Sequence, residues 1–132
     1  MSEDYLQATR LRARLACAFI DGVLAQVNVL VAPTIPEPAP ALRTVKTGSP
    51  EDVVQRMGRF ARLTRPLNCL GLPALSVPCG VSTAGLPIGL QIVGRPFDEA
   101  TVLRTGHAYE VAVGGFAVPG DLPPAGLSWP AG

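Results

Sequence analysis

The 132-residue sequence predicts an α/β fold, with about three helices set against a sheet that contains an antiparallel strand pair. Three observations carry that reading. Apolar residues recur at every fourth position from Leu11 to Val27. Short runs rich in β-branched residues stand at Val27 to Ala32, Leu75 to Val77 and Ile88 to Val93. The last two runs are separated by a loop holding Pro78, Gly80, Gly85 and Pro87, a spacing that suits an antiparallel pair.

The first helix is expected from Asp4, which can cap, with Gln7 three residues on as in a capping box. Leu11, Leu15, Phe19, Val23 and Val27 then form a stripe that wraps about a neighbour, and Arg10, Arg12 and Arg14 lie on the solvated side. Val27 to Ala32 reads as a buried strand stopped by Pro33, and four prolines in the eight residues from Pro33 to Pro40 make an extended loop. Ser49, Pro50, Glu51 and Asp52 place a cap, a first-turn proline and two acids before a second helix, from about Pro50 to Leu63. In the strand pair, Leu75 and Val77 alternate with Leu90 and Ile92, and Gly89 permits close approach of another backbone. Pro96, Asp98 and Glu99 open a third helix in which Ala100, Leu103, His107 and Val111 share a face. Nine of the last 19 residues are Gly or Pro, so residues 114–132 read as a loosely ordered tail with Trp129 as its large anchor.

Composition narrows the function. Only 16% of residues are charged and the formal net charge is +1, so no basic stripe is available to nucleic acid and no polybasic tract to a membrane. The apolar runs fall far short of the ~18 residues of a spanning helix. With 48% apolar residues, the apolar surface must enter a protein core. The acidic start, Met-Ser-Glu-Asp, is unlike a secretory signal and points to the cytoplasm. Cys17, Cys69 and Cys79 are odd in number and contain no C-x-x-C pair, so they read as small buried thiols.

No reaction centre stands out. Ser76 lies in Leu-Ser-Val-Pro without the Gly-x-Ser-x-Gly elbow, and Lys46, the only lysine, falls in the loop segment. Cys79 and His107 are a conceivable thiolate and base. A packed cysteine and a half-buried histidine account for them more simply. One histidine without a partner argues against a metal, and Gly80 to Gly85 lacks the Lys-Ser/Thr of a phosphate loop.

Three blocks in order carry a resemblance: V-N-V-L-V-A-P-T-I-P at residues 27–36, T-R-P-L-N-C-L-G-L-P-A-L-S-V-P-C-G at 64–80, and G-L-P-I-G-L-Q-I-V-G-R-P-F-D-E-A-T-V-L-R at 85–104. Over about residues 5 to 112 the sequence resembles the C-terminal part of the amidase signature family. The resemblance implies an α/β/α layered fragment around a mixed, twisted sheet, with residues 1–113 as a portion of an amidase domain. It also implies hydrolysis of linear amide bonds by a Ser-Ser-Lys triad with glycine-rich oxyanion donors. That triad and its signature lie upstream of the matched part, so no catalytic residue is carried over, and no cofactor is called for. Thr64 and Asn68, before what is expected to be the central strand, either tie local backbone or face the substrate cleft. Asn28 replaces an acidic residue usual at its strand. Ala61 stands where a transamidating branch of the family is expected to carry an acid, which favours a general amidase.

The expectation is therefore an amidase segment, inactive alone, that meets a small-molecule amide only together with the missing N-terminal portion. The alternative is a non-catalytic binding or assembly module from a truncated amidase gene. In either case a sheet lifted from a larger one leaves apolar surface in water, at about 2.5 kcal/mol per ~100 Å². Such a chain is expected to form a homo-oligomer or to associate with the rest of the enzyme, without nucleic acid or membrane as a partner.

Overall fold

The computed structural model describes residues 2–116. Its organising element is the strand β3 (Pro87–Val93), which lies between β1 (Leu30–Pro33) and β2 (Ala74–Val81) in the order β1-β3-β2. All pairings are antiparallel; Val93 stands opposite both Leu30 and Ala74, and Gln91 opposite Ala32 and Ser76. The antiparallel pair expected from sequence is thus present, with β1 as a third member, and the described sheet contains no parallel strand. The strand after Thr64 and Asn68 is β2, an edge; the centre belongs to β3. β1 begins at Leu30, not Val27, because a π-helical turn and a bend occupy the preceding residues.

Five α-helices occur among the described residues: α1 (Ser2–Phe19), α2 (Leu42–Lys46), α3 (Pro50–Phe60), α4 (Arg65–Leu70) and α5 (Glu99–Ala112). Two of them, α2 and α4, fall where loop was expected. α4 forms because Pro66 pre-sets its first turn, while Gly71, left-handed at φ 72°, closes it. The Leu72 N–H donates to the Leu67 carbonyl across that end (3.3 Å). α3 starts as its sequence requires. The Asp52 N–H donates to Ser49 Oγ (3.2 Å) and the Ser49 N–H to Asp52 Oδ2 (2.9 Å), a reciprocal cap. The Ser49 backbone N–H, helped by its hydroxyl, holds the Asp52 carboxyl below the usual value.

The two faces of the sheet carry separate cores. On one, Val77, Ile92 and Val102 are buried, with Val29, Leu75, Leu90 and Tyr109 against them; here α5 crosses β2 and β3. On the other, Leu24, Leu67, Leu72 and Val93 are buried, with Phe19, Ile20, Leu30 and Leu70 against them. The fragment is therefore layered helix, sheet, helix, as the resemblance implies. Gln91, only 3% exposed, ties the second face together: its Nε2 donates to the Pro33 carbonyl (3.0 Å) and the Leu63 carbonyl (3.2 Å). A buried amide with both protons placed is stabilising only while those carbonyls stay in reach.

α1 ends in a π-helical turn, Ile20–Leu24. The Arg95 guanidinium reaches back from the end of β3 and donates to the Leu24 carbonyl (3.0 Å) and the Val27 carbonyl (3.3 Å). A cation on the unpaired carbonyls at a helix C-terminus satisfies them and suits the local dipole. Arg95 thereby pins the end of α1 to the sheet. Along Ser2–Phe19 itself no residue is buried. The helix begins at Ser2, ahead of the expected cap at Asp4, and Leu11 and Leu15 of the anticipated stripe are 58% and 50% exposed. They meet no neighbour among the described residues deep enough to bury them.

α5 also packs differently from its expected face. Val102 and Gly106 are buried, whereas Leu103 and Val111 are exposed and the His107 side chain is 75% exposed. The reason is the close approach that glycine permits. A Cβ on Gly106 would stand 2.4 Å from Leu75 Cδ2, and one on Gly94 2.5 Å from Val102 Cγ2. The contact follows the smallest side chains, and the apolar stripe faces outward. Of the tail, Gly114 to Phe116 are described; Trp129 and the proposed anchor lie outside the described residues.

Candidate functional site

Among the described residues, a large cavity with polar groups converging on it lies at the β1 exit, on the face opposite α5. The sequence sets it up in three steps. Pro33 pairs with Leu90 at the end of β1, and the Thr34 N–H then donates to the Gly89 carbonyl (2.9 Å), extending the ladder by one residue. Gly89, lacking a side chain, lets Thr34 and Ser76 meet above it from the two flanking strands. Their hydroxyl oxygens are 2.7 Å apart, while a Cβ on Gly89 would stand 2.9 Å from Thr34 Oγ1 and 3.1 Å from Ser76 Oγ. What approaches Gly89 is therefore a pair of hydroxyls as well as the backbone foreseen from the sequence.

Around this pair opens a cavity of about 530 Å³. Pro33, Pro36, Pro38, Pro78 and Pro87 line it together with Ile35 and Ile88. Prolines have little freedom to lose, so the wall is preformed. Glu37 stands at the lining and faces Arg59 of α3 at 3.9 Å, a solvent-exposed pair of small energetic weight. Two hydroxyls own two O–H donors, and their mutual hydrogen bond uses one. The other points no further into the protein, since no additional partner of either oxygen is present among the described residues.

The residues singled out from sequence fall elsewhere. Thr64 stands at the N-cap of α4 without a side-chain capping bond; its hydroxyl, part-buried, donates instead to the Ala61 carbonyl (3.5 Å), and Asn68 is exposed on α4. Neither lines the cavity. Cys79 is the extra residue of a bulge between Pro78 and Gly80, and its thiol donates to the Ile88 carbonyl (3.5 Å). His107 lies on the outer side of α5 with its Nδ1 3.6 Å from a Glu110 oxygen. The structure thus does not assemble a thiolate and base. All three cysteines are exposed, not buried as expected, because the chain buries so few residues: seven apolar ones among those described. Lys46 closes α2 and does not lie in a loop. Asn28 sits exposed in the bend before β1, and Ala61 just past α3. Thr34 is the cavity residue that the sequence reading did not single out. Its signal was in the T-I-P segment after the strand, readable only once Gly89 is known to lie beneath it.

The amidase family model matches residues 1–103. This chain belongs to the amidase family. It is 44% identical over 123 residues to a glutamyl-tRNA(Gln) amidotransferase subunit from Exiguobacterium sibiricum, a match covering 90% of this chain and 24% of that protein. A fatty acid amide hydrolase of Medicago truncatula is 41% identical over 111 residues, covering 84% of this chain and 18% of the relative. Among solved structures, a glutamyl-tRNA(Gln) amidotransferase subunit from Thermotoga maritima superposes with a TM-score of 0.70 at 30% identity, over 87% of this chain and 25% of that one. A crystal structure of an amidase superposes with a TM-score of 0.68 at 30% identity, over 85% and 25%. The α/β layering read from sequence is accordingly that of an amidase-family fragment. The chain spans about a quarter or less of the length of these relatives. No helix among the described residues is long and apolar enough to cross a membrane.

Proposed function

We propose that this amidase-family chain, over residues 1–113, is the C-terminal wall of an amide hydrolase and is inactive alone, its Ser-Ser-Lys triad being supplied from outside it. The carrying observation is the coupling of a family match over residues 1–103 with a span of about a quarter of the relatives. A helix-sheet-helix fragment of that extent holds walls and pockets while the nucleophile comes from the remaining chain. Its exposed apolar residues support the same reading. Tyr5 (71%), Leu6, Leu11 and Leu15 on α1, and Phe97 in the turn ahead of α5, face solvent in the chain by itself. Phe97 does so at φ 62°, a backbone conformation that costs a non-glycine residue of order 1 kcal/mol or more.

In the complete enzyme Asn68 on α4 and Thr64 at its N-cap face the amide substrate, and the uncharged Ala61 before them favours a general amidase over a transamidating one. The chain alone covers its α1 surface by self-association. A reducing cytoplasm suits its three exposed free thiols. The test is complementation. The part of the Exiguobacterium sibiricum relative that this chain does not match is produced separately and mixed with it, and hydrolysis of a simple aliphatic or aryl amide is followed. The reading requires no turnover by the chain alone and turnover by the mixture. Hydrolysis by the chain alone that disappears when one of its own residues is replaced overturns it.

A further inference from the structure

We propose that α1 is a self-pairing helix: two copies of this chain join through their α1 helices, laid antiparallel and crossing near Ala8. The inference deepens the proposed self-association and rests on that reading, to which it adds the surface, the orientation and the charges that set it.

The surface follows from the sequence period. Tyr5, Ala8, Leu11 and Leu15 recur at spacings of three and four, which puts them on one stripe of the helix. Tyr5 is 71% exposed, Leu11 58% and Leu15 50%, and every residue from Ser2 to Leu15 faces solvent. The helix reaches a core only at its far end, through Phe19 and the Ile20 that follows it. Residues 2–15 thus stand clear of the body, and a second helix can cover their apolar stripe without moving the rest of the fold.

The orientation follows from charge. The first turn carries Glu3 and Asp4, and the middle of the helix carries Arg10, Arg12 and Arg14. Parallel pairing sets acid beside acid and arginine beside arginine. Antiparallel pairing about a two-fold axis sets the acidic turn of each copy beside the arginines of the other, twice over. The midpoint between the two charged segments falls near Ala8, whose methyl group lets the helix axes approach closely. The same register brings Tyr5 of each copy beside Arg12 of the other, a cation next to an aromatic ring. The apolar stripe supplies the affinity, and the exposed charges supply the alignment. At 1.5 Å per residue the 18-residue helix is about 27 Å long, and one pair of such helices covers less than the roughly 800 Å² per partner of a standard interface. The dimer is therefore weak, with a dissociation constant on the order of 0.1 mM.

Sedimentation equilibrium of the 132-residue chain at low ionic strength tests this, because exposed charges act most strongly there. The chain is expected to show a monomer–dimer equilibrium. Two charge-reversed variants separate this interface from any other: Glu3→Lys with Asp4→Lys, and Arg10→Glu with Arg12→Glu and Arg14→Glu. Each alone opposes like charges in the antiparallel pair and is expected to dimerise about tenfold more weakly. Mixed in equal amounts, they restore opposite charges at both ends and are expected to recover the affinity of the parent chain. Orientation is read by disulfide cross-linking in chains with Cys17, Cys69 and Cys79 replaced by Ser. Ala8→Cys is expected to cross-link to its copy and Leu15→Cys not to, since the two Leu15 positions of such a pair lie about 20 Å apart along the axis. Backbone amide NMR signals of Ile92, Val93 and Val102 check that each variant keeps the fold; where a reversed variant does not, the cross-linking result decides. A monomer tenfold above the expected dissociation constant, cross-linking at both positions, or no recovery on mixing each overturn the inference. So does undiminished dimerisation of the reversed variants, which moves the interface to another surface such as the edge strands β1 and β2. None of these readouts uses turnover, so failed complementation leaves the pairing standing, and failed pairing leaves the amidase reading standing.

Discussion

α5 and α1 are the two longest helices among the described residues, and they meet opposite fates. α5, 14 residues long, buries Val102 and Gly106 against the sheet; α1, 18 residues long, has no fully buried residue along Ser2–Phe19 and reaches the second core through the half-buried Phe19 at its end. Helix-forming sequence does not separate them, since both form. What differs is the presence of a surface to pack on. The β2–β3 face gives α5 a bed shaped for Gly106, whereas α1 meets α4 and the second core near its C-terminal end, where Arg95 grips the turn that follows it. Under the proposed function, the apolar side of α1 is where the rest of the enzyme packs.

That contrast sets an order of expected effects on unfolding by denaturant. Ile92→Ala, at a side chain 1% exposed between α5 and β2, is expected to cost about 3–4 kcal/mol through transfer and cavity terms. Gly106→Val comes next, at about 2–3 kcal/mol, because its Cβ alone would stand 2.4 Å from Leu75 Cδ2 and two methyl groups come with it. If either is neutral, the α5 bed is not the stable part of the molecule. Gln91→Leu leaves the Pro33 and Leu63 carbonyls without their donor, an expected loss of about 1–3 kcal/mol. Leu11→Ala on α1 is expected to stay within about 0.5 kcal/mol at a dilution where the chain is monomeric. A large loss there would mean α1 has a bed after all.

The smallest effect is local and depends on pH. The Asp52 carboxyl is held below its usual value by the Ser49 N–H, so its contribution to the cap of α3 is complete above the ordinary carboxylate pKa. It is lost as pH falls through the lowered value. Protection from hydrogen exchange at Ser49 and Asp52, taken relative to that of β3, is expected to fall first in acid, and Asp52→Ala, which removes the carboxyl that the Ser49 N–H donates to, is expected to abolish that pH dependence. An unchanged order would show that the reciprocal cap is not formed in solution.

Legibility from sequence follows the range of the interaction. The α3 start was readable because Ser49 and Asp52 are three residues apart and cap each other. The strand pair was readable because alternation survives in Leu75, Val77, Leu90 and Ile92, which do share one face. The α5 face was misread because Gly106 packs through what it lacks, and only the position of Leu75 reveals that. α4 was missed because six residues carry too little periodicity to register. The cavity was illegible for a related reason: Thr34 and Ser76 are 42 residues apart and are joined only by the register of β3 between them. The amidase-family resemblance, by contrast, rested on three blocks that could be read in order.

The most direct test of the central claim is hydrogen exchange along the whole chain at a concentration where sedimentation shows a monomer. β3 and the Val102 to Gly106 stretch of α5 should exchange only through global opening, while residues 2–15 exchange orders of magnitude faster. Protection of residues 2–15 equal to that of β3 in the monomer would contradict the account, because α1 would then have its partner within the chain.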